Sequence, residues 1–124
     1  MLLPALTQRI WLYALAVDMR KSYAGLIALV MHHLREDPTS GELFIFINRR
    51  KTHLKALYFE TGGYCLWCKR LEQGQFNFSQ SSSAKQLLNW QELQGLIDGI
   101  EVQKVRQYKR YNHNINAETK GVFC

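Results

Sequence analysis

The amino-acid sequence predicts an α+β fold, in which an antiparallel β-meander of about five strands packs with two α-helices. Two observations carry this prediction. Short apolar runs between residues 43 and 78 are separated by turn-forming residues, as in a meander of strands. Two flanking segments repeat apolar residues with helical spacing, each behind a residue that can cap a helix.

The first elements in the chain are a strand and a helix. Arg9–Ala16 is dense in Ile, Trp, Leu and Tyr, which favours a β-strand. Asp18 is expected to cap an amphipathic helix that ends near Arg35, before Pro38, because apolar residues recur at offsets of three, four or seven. These residues are Met19, Tyr23, Leu26, Ile27, Val30 and Leu34.

The meander and a second helix follow. Thr61-Gly62-Gly63 predicts a tight hairpin, since glycine accepts the positive φ angles of such turns. Short loops predict antiparallel neighbours. Asn89 is expected to cap a helix that runs through Asp98. The predicted strands are Leu43–Ile47, Leu54–Glu60, Tyr64–Leu71 and Phe76–Phe78.

The domain organisation follows from length and charge. We expect residues 1–101 to form a single α+β domain and residues 102–124 to form a flexible basic tail. The formal net charge is +6, with eleven Lys/Arg against nine Asp/Glu in residues 1–101 and five against one in residues 102–124. Such an excess favours polyanionic partners without specifying one.

Alternate residues of the meander strands are apolar on both faces of the predicted sheet. Tyr64–Leu71 and Leu43–Ile47 both show this pattern. Either the helices and the first strand wrap both faces, or one face meets another copy or another protein.

The sequence predicts a cytoplasmic protein that is not a disulfide-rich scaffold. The apolar stretch Ile10–Val17 is shorter than the roughly twenty residues needed to cross a bilayer, and it does not read as a signal peptide. The cysteine count of three is odd, which argues against a disulfide framework.

Candidate catalytic and metal-binding residues form no recognisable motif. Cys65 and Cys68 form a C-x-x-C, but a structural zinc site needs four ligands, and residues three apart on a strand point to opposite faces. We therefore interpret both cysteines as core residues. No histidine stands in a general-base pattern with a nucleophile. We expect no catalytic residues, metal or cofactor.

Basic residues are the strongest indication of function. Arg20 and Lys21 are expected in the first turn of the first helix, where they could bind phosphate or be neutralised by Asp18. The loop at Arg49, Arg50 and Lys51 lies between two strands and could follow a DNA backbone. Lys69 and Arg70, near the end of a neighbouring strand, could extend the same basic patch. The predicted DNA-binding residues are Arg20, Lys21, Arg49, Arg50, Lys51, Lys69 and Arg70.

Four blocks of the sequence resemble the TnpB accessory-protein family of insertion-sequence-66 transposable elements, which is distinct from the RNA-guided nuclease of the same name. The blocks are VDMRKSYAGL, DPTSGELFIFINRR, LKALYFETGGYCLWCKRLEQGQF and LIDGI. In that family a separate, larger transposase holds the acidic catalytic residues.

The resemblance implies an accessory protein of transposition. Together with the basic residues, it leads us to expect a non-catalytic protein that binds transposon DNA, the transposase or both. The apolar sheet faces are also compatible with a homo-oligomer. One alternative is a protein-interaction module that does not bind DNA, and a second is a metal-dependent nuclease.

Overall fold

The computed structural model describes residues 9–77 and 84–98, which form a five-stranded mixed sheet with a helix on each face. The strand order is β4-β3-β2-β1-β5. This confirms the α+β class; the predicted tail and the boundary at residue 101 lie outside the described residues. The elements are β1 Ile10–Tyr13, α1 Tyr23–Leu29 with a π-helical continuation Val30–Leu34, β2 Leu43–Ile47, β3 His53–Glu60, β4 Gly63–Arg70, β5 Lys85–Leu88 and α2 Trp90–Asp98.

The sheet is mostly antiparallel, with one parallel pair. β2 pairs antiparallel with β3, β3 with β4, and β1 with β5. β1 and β2 are parallel, because the chain between them crosses over through α1 instead of a short turn. The expected all-antiparallel arrangement therefore fails at this pair.

The first helix starts later than the sequence predicts. α1 begins at Tyr23, and Ser22 is its N-cap residue. Asp18 instead closes a turn, where its Oδ1 accepts the Arg20 N–H at 2.9 Å. The Val17 N–H donates to the carbonyl of Ile47 on β2, so the sheet holds this segment in place before the helix starts.

The prediction of a strand at Phe76–Phe78 is wrong, because Phe76 and Asn77 do not form one. Phe78 lies outside the described residues. Phe76 is wholly buried, and its N–H donates to the Lys51 carbonyl at 2.7 Å. It therefore fastens a loop segment to the β2–β3 connection. The fifth strand is Lys85–Leu88, on the opposite edge of the sheet from β4.

The helices wrap both faces of the sheet, which is the first of the two expected alternatives. On one face Leu93 and Leu96 of α2 join a buried cluster with Ile45. On the other, Leu26 of α1 joins a cluster with Phe46. Burial of these side chains provides the main stabilising free energy of the fold.

The predicted cap of the second helix is confirmed. The Asn89 Oδ1 accepts the Glu92 N–H at 2.7 Å, and a Glu92 carboxylate oxygen accepts the Asn89 N–H at 2.8 Å. This reciprocal pair is a capping box, which satisfies two backbone donors that the helix leaves open.

The two C-x-x-C cysteines diverge as predicted. Cys65 packs against the cluster on the α2 face, and Cys68 against the cluster on the α1 face. Across residues 9–77 and 84–98, no group of three His, Cys, Asp or Glu side chains is placed to hold a metal ion. The described helices include none long and apolar enough to cross a membrane.

Candidate nucleic-acid interface

Predicted basic residues from distant parts of the sequence meet at one end of the sheet. β2 ends at Ile47, the loop of residues 48–52 follows, and β3 starts at His53. Arg70, at the end of β4, stands opposite His53 in the antiparallel register. We call this region the basic end and define it by the residues that the following paragraphs place there: Arg20, Lys21, Arg49, Arg50, Lys51 and Arg70.

The loop of residues 48–52 is organised by one side chain. The Asn48 Oδ1 accepts the N–H groups of Thr52 at 2.9 Å and His53 at 3.0 Å. The Lys51 N–H donates to the Asn48 carbonyl at 3.0 Å, and Lys51 has a φ of 61°. An asparagine suits this position because its amide can replace the backbone partners that a tight turn leaves open.

The segment that follows β4 holds the loop of residues 48–52 in place by hydrogen bonds. The Gln75 amide donates to the Arg50 carbonyl at 2.8 Å, and the Leu71 N–H donates to the Thr52 carbonyl at 2.8 Å. Together with the bond from Phe76 to Lys51, these contacts fix the loop backbone while Arg49 and Arg50 remain exposed. The loop presents its two guanidinium groups from a fixed backbone.

The turn that carries Arg20 and Lys21 lies at the same end of the sheet. The Lys55 ammonium group, on β3, donates to the carbonyls of Met19 at 2.9 Å and Lys21 at 2.7 Å. Both basic residues precede α1, so the prediction that they occupy its first turn is wrong. They reach the basic end because Lys55 and the sheet hold this turn.

Arg20 has an acidic partner within the turn. Its guanidinium group pairs with the Asp18 carboxylate at 2.7 Å, although the Arg20 side chain is 91% exposed. Hydrogen bonds from Arg20 lower the pKa of Asp18 to about 2. The expected neutralisation by Asp18 is therefore observed for Arg20. Lys21 is exposed beside this pair.

Lys69 does not join the basic end. It is buried, and its ammonium group donates to the carbonyl of Ile97 near the end of α2 at 2.8 Å. Alternation along β4 gives the reason: Lys69 shares a face with Cys65 and Trp67, which pack toward α2. The sequence prediction missed this alternation.

His53 experiences the positive charge of the basic end. Its Nδ1 lies 2.9 Å from the Thr52 hydroxyl and 3.2 Å from the Asn48 amide nitrogen. Burial first, and then the charges of Arg70 and Lys55, hold the pKa of His53 below 6.5. From the sequence, His53 and Lys55 are seen only as flanking the basic loop, because the bonds of Lys55 to Met19 and Lys21 join distant parts of the chain. The role of Asn48 is local, and an asparagine next to a predicted turn is the signal that could have indicated it.

The opposite end of the sheet carries carboxylates. Glu42 immediately precedes β2, Glu60 ends β3, and Glu92 lies in the first turn of α2, which follows the end of β5. Arg9 is present there too, but it pairs with the buried Glu42. Glu42, Glu60 and Glu92 therefore lie at the end of the sheet away from the basic end, whereas Asp18 and Glu72 pair with Arg20 and Arg70 at the basic end itself.

The sequence of this chain is similar to one protein family and to two proteins of one bacterial strain. The profile of a family described as IS66 Orf2 like protein matches residues 8–107. The uncharacterized protein y4jC of Sinorhizobium fredii (strain NBRC 101917 / NGR234) is 31% identical over 104 residues, covering 84% of this chain and 89% of that protein. The uncharacterized protein y4hO of the same strain is 30% identical over 93 residues, covering 75% and 81%. No solved structure gives a significant match.

Proposed function

The chain belongs to the IS66 Orf2 like protein family, and on that premise we propose that it is a non-catalytic accessory protein that binds transposon DNA through its basic end. The family links the chain to insertion-sequence transposition. The proposal adds the mode of action: contact with DNA phosphates, while a separate transposase carries out the chemistry. Such a protein would act in the cytoplasm, beside the DNA.

The convergence of three segments carries this proposal. Arg49 and Arg50 on the braced loop, Arg70 at the end of β4 and Lys21 on the preceding turn are far apart in sequence but share one end of the sheet. Exposed guanidinium and ammonium groups bind phosphate well, and guanidinium can do so with two hydrogen bonds.

The fixed loop backbone favours binding because less conformational entropy is lost when a rigid loop contacts DNA. Phosphate contacts position a protein on a duplex without reading its sequence. We therefore expect the basic end to supply affinity that is similar for all duplexes. Any preference for transposon ends must come from other contacts or from the transposase.

Fluorescence anisotropy with two labelled duplexes tests the proposal, one taken from a transposon end and one unrelated. The double variant Arg49→Gln/Arg50→Gln should lose about tenfold or more in affinity for both duplexes, because charged hydrogen bonds to phosphate are removed. Arg35→Gln is the control, since Arg35 is exposed on the connection between α1 and β2.

The control variant should lose less than about twofold in affinity, and all variants should keep the urea midpoint of the wild type. Equal binding by the double variant and the wild type would contradict the proposal. If neither duplex binds but purified transposase of the same element is retained by the immobilised protein, the alternative of a protein-interaction module holds instead. Metal-dependent duplex cleavage by the protein alone would favour the nuclease alternative.

A further inference from the structure

Gly25 is the third residue of α1, where the helix itself does not call for glycine. Glycine lowers helix stability relative to alanine, because its backbone loses more conformational freedom on folding. Gly25 also lacks the positive φ that Gly41 and Gly62 have in their turns. What packs against Gly25 is therefore more informative than its backbone conformation.

The side chain of Lys21 lies across Gly25. A methyl group added to Gly25 would come within 3.1 Å of the Lys21 Cγ, 3.2 Å of its Cβ and 3.4 Å of its Cδ. Carbon atoms in contact are normally about 3.5–4.0 Å apart, so this methyl group would collide with the aliphatic stem of Lys21. The stem packs over the α-carbon of Gly25 because no side chain stands between them.

The backbone of Lys21 is held from the side of the sheet. Its N–H donates to the Asp18 carbonyl at 3.0 Å, and its carbonyl accepts from the Lys55 ammonium group at 2.7 Å. Lys55 lies on β3 and also donates to the Met19 carbonyl at 2.9 Å. Because this backbone fixes the Cβ of Lys21, rotation of the side chain alone cannot relieve a collision with a methyl group on Gly25.

The carboxylate nearest to Lys21 in the sequence is already engaged. The Asp18 carboxylate accepts three hydrogen bonds from the Arg20 guanidinium group, at 2.7 to 3.1 Å. Within residues 9–77 and 84–98, Lys21 is exposed and takes part in none of the ion pairs. A lysine whose stem is already fixed loses less side-chain entropy when its ammonium group contacts a phosphate.

We propose that Gly25 is a positioning residue, which lets the stem of Lys21 pack on α1 and so presents the Lys21 ammonium group to a DNA phosphate. This inference rests on the proposed function, since it concerns one cation of the basic end. It adds an uncharged residue to a site otherwise built from cations. It also accounts for a glycine in a helix, where its own propensity is unfavourable.

Gly25→Ala and the control Gly95→Ala make the same change in the two helices. Gly95 is exposed in α2, and a methyl group added there would meet nothing within 4 Å. Gly95→Ala should raise the urea midpoint and leave duplex affinity within about 1.5-fold of the wild type. Gly25→Ala should weaken binding about threefold or more in fluorescence anisotropy without lowering the urea midpoint, because it displaces a charged contact to phosphate.

Lys21→Ala separates positioning of Lys21 from a general effect on the fold. This variant should weaken binding at least as much as Gly25→Ala and reduce the salt slope of binding by about 1. In the Lys21→Ala background, Gly25→Ala should change affinity less than about 1.5-fold, because the contact that it disturbs is already gone. An equal loss in both backgrounds would overturn the proposal, since Gly25 would then act without Lys21.

Failure of this proposal can be told apart from failure of DNA binding by the basic end. If Arg49→Gln/Arg50→Gln binds weakly but Gly25→Ala binds as tightly as Gly95→Ala, only the role of Gly25 is wrong. If the wild type binds neither duplex, both proposals are wrong. In the NMR spectrum of the protein without DNA, the γ-methylene protons of Lys21 should show nuclear Overhauser contacts to the α-protons of Gly25, and their absence would also overturn the proposal.

Discussion

Lys69 and Arg70 are neighbours in sequence but have opposite roles in the fold. Arg70 is exposed at the basic end and pairs with Glu72 at 3.0 Å. Lys69 is buried and donates to the last turn of α2, where its charge also meets the negative end of the helix dipole. A basic pair on a strand therefore supplies one surface cation and one structural cation.

Replacing Lys69 should affect stability and not DNA affinity. Lys69→Met keeps the buried aliphatic stem but removes the bond to Ile97, so we expect a loss of about 1–2 kcal/mol in the free energy of unfolding, measured by urea titration. Affinity for duplex DNA should change less than about twofold. A large loss of affinity in a folded variant would show that Lys69 contributes to binding after all.

His53 should make stability depend on pH. Its pKa is depressed in the folded protein, so the unfolded chain takes up a proton first as the pH falls below 6.5. Stability is therefore lost as the pH falls from 6.5 toward the folded-state pKa. The depressed pKa values of Asp18 and Asp37 act below about pH 4, so they do not interfere.

Urea titrations at several pH values between 7.5 and 5 test this prediction. The free energy of unfolding should fall toward pH 5 in the wild type, and His53→Gln should reduce that fall. An identical pH dependence in the two proteins would show that His53 is not responsible.

At the scale of elements, local signals predict those parts of the fold whose contacts are local. β2 has the predicted bounds Leu43–Ile47, and α2 begins after Asn89 as its cap predicts. The start of α1 could not be found this way. Asp18 is a good N-cap residue, but the bonds from Lys55 and to Ile47 hold the next residues outside the helix.

The pairing of β1 and the position of β5 depend on long-range contacts. Lys85–Leu88 has little apolar alternation. It forms a strand because it pairs antiparallel with β1 at the edge of the sheet. Phe76 looks like a strand residue because it is apolar, whereas its burial comes from fastening the 48–52 loop. The order β1–α1–β2 does predict a parallel crossover, and that signal was available in the sequence.

The capping box of α2 should contribute measurably to stability. Asn89→Ala should lower the free energy of unfolding by about 1 kcal/mol, because the Glu92 N–H loses its acceptor. Glu92→Ala should cost a similar amount or less. The two losses should not add in the double variant, since both changes break one reciprocal pair. Additive losses in urea titrations would show that the two bonds act independently.

At the scale of the whole molecule, the convergence of basic residues at one end of the sheet defines the candidate site. The basic loop at residues 49–51 could be found in the sequence, because three basic residues are consecutive. Arg70 could also be placed beside this loop, because the predicted β3–β4 hairpin brings the end of β4 back to it. Lys21 was assigned to the wrong element, since the bond from Lys55 that holds its turn ahead of α1 forms between residues far apart in sequence. The carboxylates at the opposite end are likewise scattered in sequence.

The salt dependence of duplex binding tests the proposed role of the basic end most directly. The logarithm of the binding constant should fall linearly with the logarithm of the salt concentration, by about 0.9 for each phosphate contact on duplex DNA. Arg49→Gln/Arg50→Gln should reduce that slope by about 2, and Arg35→Gln should leave it unchanged. A slope near zero in the wild type, or an equal slope in the wild type and the double variant, would contradict binding of DNA phosphates by the basic end.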